Sequence, residues 1–196
     1  MRKMTDSISV KVKYKLFGGN KMAYVQLKML WENDEKSQKD IVLPEGIGIE
    51  TFSQRKSALD DWLDLVQYGL TDGRMDKDCY DRCMTNMKNY DENKCFFLVK
   101  DDVAVATITV ICDHETKEGY IHMVACDPKF RGQGLGTLLN DIAVHTLKKE
   151  GMKTAYLTTD DFRIAAIKSY LRCGFLPDLS TDDFRTRWEK IYEQIK

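Results

Sequence analysis

The first part of the chain alternates apolar and polar residues, a pattern that predicts β-strands. Residues 8–17 (ISVKVKYKLF) and 22–31 (MAYVQLKMLW) both show this alternation, and Gly18-Gly19-Asn20 between them can supply the positive φ of a hairpin turn. The polar stretch 32–40 that follows is typical of a linker. We therefore predict an N-terminal β-hairpin and linker over residues 1–46, ahead of one globular unit.

From residue 47 onward, the apolar spacing changes repeatedly between strand and helix periods. A strand at 47–52 precedes two amphipathic segments, whose apolar residues are Leu59, Trp62, Leu63, Val66 and Leu70 in the first and Tyr80, Cys83, Met84 and Met87 in the second. Further strands are predicted at 95–99, 103–111, 120–126 and 154–159, and further helices at 137–150, at 163–173 and near the end of the chain. This order predicts an α/β (α+β) fold for residues 47–196.

Composition and charge weigh against several classes of function. The 196 residues carry 30 Lys and Arg against 31 Asp and Glu, so the chain as a whole would not attract nucleic acid or an anionic membrane. No apolar run has the length of a membrane span or the character of a signal peptide. The six cysteines include no CxxC pair and the three histidines are scattered, which indicates neither a disulfide framework nor a metal site. We expect a cytoplasmic protein.

The sharpest motif is the glycine-rich turn RGQGLGT, from Arg131 to Thr137, between a predicted strand and a predicted helix. Glycines there let consecutive backbone N–H groups face one point, and the helix N-terminus favours an anion such as a pyrophosphate. A P-loop is excluded because no Lys-Ser/Thr pair follows the glycines. The dinucleotide fingerprint also fits poorly, because Thr137 stands where its third glycine belongs. A turn that serves only tight packing remains an alternative.

Two motifs together resemble the GNAT superfamily of N-acetyltransferases. VACDPKFRGQGLGTLL resembles its motif A, whose Gln/Arg-x-x-Gly-x-Gly/Ala signature matches Arg131, Gly134 and Gly136. The stretch AIKSYLRCGF, which contains Tyr170, is similar to the family's second signature, Ala-x-x-x-Tyr-x-x-x-Gly-Phe. The resemblance covers residues 47–177 and implies a mixed, mostly antiparallel central sheet flanked by helices, here with an N-terminal β-hairpin extension. The hairpin and terminal helix resemble additions in a poorly characterised branch.

The resemblance also implies a donor site for acetyl-CoA. In the family, a backbone N–H at a bulge on the strand before the turn contacts the developing oxyanion, and Val124 occupies that position. The residues implied to bind the cofactor are Val124, Ala125, Cys126, Arg131, Gly132, Gln133, Gly134, Leu135, Gly136, Thr137 and Arg163. Arg163 replaces an Asn found in many members, which puts the local contact with the CoA arm in doubt.

Two side chains are candidates for proton transfer. Tyr170 matches the family tyrosine that protonates the departing thiolate, although a tyrosine in a helix can also serve only packing. Period-two alternation puts Tyr120, His122 and Val124 on one face if no bulge intervenes, so His122 would lie beside the oxyanion donor and could act as general base. The arylalkylamine branch resembles this chain at His122 but has a second histidine at the position of Tyr120. Cys126 is interpreted as structural.

The acceptor site is less well defined by the sequence. In the family, it is walled by the first two helices and the end of the fifth core strand, which implies Trp62, Thr158 and Asp160 as candidates. Tyr120, on the strand before the glycine-rich turn, is a fourth candidate. We predict an acetyl-CoA-dependent N-acetyltransferase that acts by direct attack on a small-molecule or peptide amine, without a nucleic-acid, membrane or metal partner. A homodimer is left open. The alternative function is a non-catalytic acyl-CoA-binding or sensing module.

Overall fold

The computed structural model describes residues 14–17, 20–23, 25–34 and 40–195. Within these residues, nine strands lie in two sheets, and their bounds are Tyr14–Phe17 (β1), Asn20–Ala23 (β2), Leu27–Glu32 (β3), Ile47–Thr51 (β4), Cys95–Lys100 (β5), Val103–Asp113 (β6), Glu118–Cys126 (β7), Thr154–Thr159 (β8) and Leu176–Pro177 (β9). The α-helices in the same ranges are Ala58–Val66 (α1), Lys77–Tyr80 (α2), Leu135–Lys149 (α3), Ile164–Arg172 (α4) and Asp182–Ile195 (α5).

The seven-stranded main sheet has the order β4-β5-β6-β7-β8-β3-β9. Its neighbours pair antiparallel except β7 and β8, which pair in parallel. This arrangement confirms the predicted mixed, mostly antiparallel sheet. Helices cover both faces: α3, α4 and α5 bury their apolar residues against one face, and α1 and α2 bury theirs against the other.

The predicted N-terminal hairpin is present as the antiparallel pair β1 and β2, although residues 8–13 and the Gly18-Gly19 turn lie outside the described residues. The predicted second arm, residues 22–31, does not form one strand. Its later part belongs to β3, which lies between β8 and β9 in the main sheet. The reason is burial, because Leu27, Met29 and Trp31 alternate toward the core and are almost fully covered. The main sheet therefore includes β3, which comes from the segment that the sequence predicted to form the N-terminal hairpin.

The helical predictions differ from the structure mainly in the second amphipathic segment. Its α-helix ends at Tyr80 and continues as a π-helical turn over Asp81–Thr85. Tyr80 and Met84 are nevertheless buried, as the apolar spacing predicted. Helix α3 begins at Leu135, directly after the glycines, and the chain leaves it at Gly151, whose φ of +70° suits a glycine.

Strands β7 and β8 separate part-way along their length. Their parallel pairing runs from Glu118 opposite Thr154 to Ile121 opposite Leu157 and then stops. The register between β6 and β7 shifts at the same level, where Met123 has a φ of 52°, so that Met123 and Val124 together oppose one residue of β6. We call the space between residues 123–126 and residues 158–160 the β7–β8 gap.

Candidate active site

The bulge on β7 decides which backbone groups face the β7–β8 gap. The Asp127 N–H donates to the Val105 carbonyl, and the Ala125 position pairs with Thr107, so the antiparallel alternation directs the backbone of Ala125 toward β6. The same alternation directs the backbones of Val124 and Cys126 into the gap. The ladder with β6 therefore engages the N–H and C=O of Ala125, against its predicted contact with the donor. Backbone contacts of Val124 and Cys126 with the donor remain a prediction.

The bulge also separates side chains that strict alternation would place together. Val124 and Cys126 pack with the core beneath α3 and α4, whereas Met123 and Ala125 pack with the core beneath α1. His122, before the bulge, is bonded to the Cys83 carbonyl on the α2 side. The prediction that Val124 shares a face with His122, which assumed no bulge, is therefore wrong for the Val124 side chain.

The turn from Arg131 to Gly136, which we call the glycine loop, presents backbone donors at the start of α3. No hydrogen bond within the described part of the chain uses the N–H groups of residues 132–136. Gly132 and Gly134 have φ of +79° and +81°, and a Cβ built on either would meet nothing within 4 Å. Five free donors at the N-terminus of a 15-residue helix suit a pyrophosphate. The loop therefore fits the diphosphate of CoA.

Two arginines hold the turn that follows α1. Arg131 donates from Nε to the Cys126 carbonyl at 3.3 Å and from Nη2 to the Tyr68 carbonyl at 3.1 Å. Arg163 donates to the Gly69 carbonyl at 2.7 Å and pairs with Asp160 at 2.8 Å. Both side chains that we assigned to the cofactor thus already bind carbonyl oxygens of this protein. A contact of Arg163 with CoA remains a prediction.

Thr137, the last residue of the predicted turn, is occupied by contacts within the protein. Its N–H donates to the Gly134 carbonyl at 3.0 Å, and its hydroxyl accepts from Ser169 Oγ at 3.2 Å. Ser169 also accepts from Asn140 Nδ2 at 2.9 Å, in a buried network between α3 and α4. In this arrangement, Thr137 holds α4 against α3 and so helps to place Tyr170.

Tyr170 lies on α4 and is 6% exposed. The Tyr170 hydroxyl has no hydrogen-bond partner among the described residues. Its oxygen is not fully enclosed by the protein. Burial raises the pKa of Tyr170 to about 12, against a lowering effect of Arg163, and the neighbouring Tyr120 raises it further. Tyr170 is therefore a neutral phenol with a free O–H at physiological pH.

His122 and Tyr120 form a bonded pair on the α1 side of β7. His122 Nδ1 lies 3.0 Å from the Tyr120 hydroxyl, and its Nε2 lies 3.0 Å from the Cys83 carbonyl oxygen. A carbonyl can only accept, so Nε2 carries the hydrogen and Nδ1 accepts from Tyr120. Burial lowers the pKa of His122 to about 4, so the imidazole is neutral at pH 7. Burial is the largest influence on Tyr120 and raises the pKa of its phenol, against a lowering effect of the Thr158 hydroxyl.

The sequence model of the Acetyltransferase (GNAT) family matches residues 59–175, which is more than half of the chain and includes both the gap and the glycine loop. The chain belongs to the GNAT family. Proteins of this family take the acetyl group from acetyl-CoA, in agreement with the fit of the glycine loop to a diphosphate.

Curated relatives and solved structures agree with this assignment. Mycothiol acetyltransferase of Kytococcus sedentarius is 30% identical over 146 residues, which are 69% of this chain and 47% of that protein. N-alpha-acetyltransferase 30 of Schizosaccharomyces pombe is 35% identical over 71 residues, which are 34% of this chain and 47% of that protein. The chain thus spans about half the length of these curated relatives. The GCN5-related N-acetyltransferase from Sphaerobacter thermophilus shares the fold, with a TM-score of 0.61 and 17% identity over 79% of this chain and 50% of that chain.

The four acceptor candidates of this GNAT protein divide into two groups. Trp62 is fully buried and packs edge-on against Tyr80, with ring centroids 5.1 Å apart, so it belongs to the core. Asp160 is buried and bonded to Arg163 and to Gln26, so its charge is already compensated. These two predictions do not fit the structure as contacts to a substrate. Thr158 is exposed and is the first residue of β8 beyond the pairing with β7, and Tyr120 is half-buried on the neighbouring strand.

Cysteine and metal chemistry receive no support from the described residues. Burial is the largest influence on Cys126 and raises the pKa of its thiol, so a thiolate nucleophile is disfavoured. No group of three or more His, Cys, Asp or Glu side chains that could hold a metal ion occurs in the described ranges. No helix in these ranges is long and apolar enough to cross a membrane.

Two features of the site were missed by sequence reasoning. One is the bond between His122 and the Cys83 carbonyl, and the other is the pair of arginine contacts to Tyr68 and Gly69. In each case, the acceptor is a backbone carbonyl far away in the sequence. A carbonyl is present at every position, so no residue type could have signalled these partners.

Proposed function

We propose that this GNAT protein is an N-acetyltransferase that moves the acetyl group of acetyl-CoA to a primary amine by direct attack. The observation that carries the proposal is the β7–β8 gap itself. Backbone donors of Val124 and Cys126 face the gap, five free N–H groups of the glycine loop lie at the start of α3, and the unpartnered Tyr170 hydroxyl lies on α4.

The donor half of the site is assigned to backbone groups. The glycine loop holds the diphosphate, and Cys126 offers its backbone N–H to the pantetheine arm. The Val124 N–H donates to the thioester oxygen as that oxygen gains negative charge, which is the largest single contribution expected in acyl transfer. These donors are held by the sheet and by α3, so they need little reorganisation during the reaction.

The proton-transfer half of the site is assigned to side chains on both faces of the sheet. Tyr170 donates to the departing sulfur, and its raised pKa keeps the phenol protonated until that moment. His122 acts on the amine side. Cys126 takes no covalent part, because direct attack needs no enzyme nucleophile.

The acceptor is a small-molecule or peptide amine. The names of the relatives include both kinds, mycothiol in one and an α-amino group in the other. The exposed Thr158 and the half-buried Tyr120 would meet either kind of amine at the mouth of the gap. All six cysteines are free, which supports a reducing cytoplasm as the site of action.

The test is turnover of acetyl-CoA by the purified full chain with tyramine, glucosamine and a tetrapeptide that has a free N-terminus. Free thiol and acetylated product are both measured, and a reaction without amine controls for hydrolysis. We expect thiol release that depends on at least one amine and equals the product formed. Tight binding of acetyl-CoA without product from any of these amines would favour the alternative, a non-catalytic acyl-CoA-binding module.

A further inference from the structure

We infer that Tyr120 is the group that touches the attacking amine, and that His122 acts through Tyr120 as the second member of a proton relay. This inference rests on the proposed function and assigns to Tyr120 a role that neither the family signature nor the relatives' names describe. Its basis is the arrangement of hydrogen bonds around the imidazole.

Neither nitrogen of His122 is free to meet a substrate. Nε2–H is bonded to the Cys83 carbonyl at 3.0 Å, and Nδ1 accepts the Tyr120 O–H at 3.0 Å. A direct general base needs a lone pair within hydrogen-bond reach of the amine, and both ring positions are already used. His122 can therefore take a proton only from its partner, Tyr120.

The Tyr120 oxygen, in contrast, keeps lone pairs for a substrate. Its hydrogen is committed to Nδ1, so the oxygen can accept a hydrogen bond from an amine N–H. The bond to His122 directs the Tyr120 hydroxyl toward residue 122, the first position of β7 beyond the pairing with β8, where the gap begins. The Tyr120 ring is held by stacking on Tyr156, with centroids 4.6 Å apart, so the hydroxyl has a defined position.

The proton balance of the relay is closed. The amine arrives neutral, and as its nitrogen bonds to the acetyl carbon, an N–H proton moves to the Tyr120 oxygen while the Tyr120 proton moves to His122 Nδ1. The carbon–sulfur bond then breaks, and the Tyr170 O–H donates a hydrogen bond to the departing thiolate. The proton on His122 returns through Tyr120 to solvent, and the thiolate takes a proton from solvent as it leaves. The net change is amine plus thioester to amide plus thiol.

The environment of His122 supports a transient role. The imidazole is half-buried and faces a carbonyl and a phenol rather than a carboxylate, so a proton on it is not stabilised and leaves quickly. The His122–Tyr120 pair lies on the α1 side of the sheet and Tyr170 lies on the α3 and α4 side. In this proposal, the relay and the acid act on the reacting centre from the two sides of the gap.

The experiment compares Tyr120→Phe, His122→Asn and the double variant with wild type, using the panel amine that is turned over fastest. Asparagine at 122 can still accept the Tyr120 O–H but cannot take its proton. Tyr156→Phe is the matched control, because it removes a hydroxyl from the stacked ring outside the relay. Retained thermal stabilisation by acetyl-CoA shows that each variant is folded.

We expect Tyr120→Phe and His122→Asn each to lower kcat by about 10²-fold or more, with little change in the KM for acetyl-CoA. The double variant should be no slower than the slower single variant, since the two groups act as one unit. The kcat of Tyr156→Phe should stay within about threefold of the wild-type value, which corresponds to a change of less than about 1 kcal/mol. A proton inventory in mixtures of H₂O and D₂O should show more than one proton in transfer for wild type and fewer for Tyr120→Phe.

Several results would overturn the relay. If Tyr120→Phe keeps the wild-type kcat, the reaction does not use this hydroxyl. If His122→Asn keeps the wild-type kcat, His122 serves only as a hydrogen-bond acceptor for Tyr120. Losses that add in the double variant would show two independent roles. These outcomes differ from failure of the proposed function, in which wild type itself acetylates no amine and the relay falls with it.

Discussion

Replacing Tyr170 with phenylalanine removes one unpartnered hydroxyl on α4 and leaves the aromatic ring in place. The ring meets Phe175 edge-on, with centroids 6.3 Å apart, and phenylalanine would keep that contact. No hydrogen bond joins the hydroxyl to another described residue, so the variant loses no internal bond. We therefore expect the free energy of unfolding to change by less than about 1 kcal/mol.

The effect on catalysis follows from the pKa of the phenol. Burial raises the pKa of Tyr170 to about 12, whereas a free thiol has a pKa of about 8.5, so complete proton transfer to the thiolate is uphill by roughly 5 kcal/mol. Tyr170 then stabilises the departing sulfur chiefly as a hydrogen-bond donor to a charged acceptor. Such a bond contributes about 1.5–3 kcal/mol, which corresponds to a loss in kcat of about 10- to 150-fold.

The assay measures kcat by product formation and the acetyl-CoA dissociation constant by calorimetry. The loss should fall on kcat, because the hydroxyl acts on charge that develops only during the reaction. A variant that turns over at the wild-type rate would make Tyr170 a packing residue. A loss in kcat above about 10⁴-fold would contradict the hydrogen-bond argument. It would indicate that Tyr170 transfers its proton completely, which requires a lower phenol pKa than burial allows.

Two further predictions concern the cofactor and pH. Gly134→Val should abolish thermal stabilisation by acetyl-CoA, because the φ of +81° is strained for a side chain, whereas Gly46→Val, with a similar φ of +74° in the turn before β4, should lower stability but keep the acetyl-CoA shift. An equal loss of the shift in both would contradict the site. Burial lowers the pKa of His122 from 6.5 to about 4. Between these pH values, the imidazole is protonated in the unfolded chain and neutral in the folded chain. The free energy of unfolding should therefore fall as the pH falls from 6.5 toward 4. Urea unfolding at pH 7 and pH 5 measures this change. Between these two pH values, the free energy of unfolding of wild type should fall by about 2 kcal/mol more than that of His122→Asn, and equal falls would argue against a neutral imidazole in the folded chain.

Much of the donor site could be predicted from the sequence because its signals are local. Glycines directly ahead of an amphipathic helix require only neighbouring residues to form an anion-binding turn, and α3 does begin at Leu135. The apolar spacing likewise identified buried residues of α1, such as Trp62 and Val66, and of the segment that follows it, such as Tyr80 and Met84. Tyr170 was found by its motif, and the structure adds that its hydroxyl is unpartnered within the described chain.

The sequence by itself therefore determined the order of most elements, the glycine loop and the residue types available for proton transfer. Only the tertiary structure decided which of them meet. The bulge at Met123 directs the backbone of Ala125 toward β6 and the side chain of Val124 to the face opposite His122. The Cys83 carbonyl accepts a hydrogen bond from the His122 imidazole. Strand β3 joins the main sheet, although its segment was interpreted as an arm of the hairpin. These outcomes depend on strand register and on backbone carbonyls brought together over long sequence distances, and neither leaves a mark in residue type.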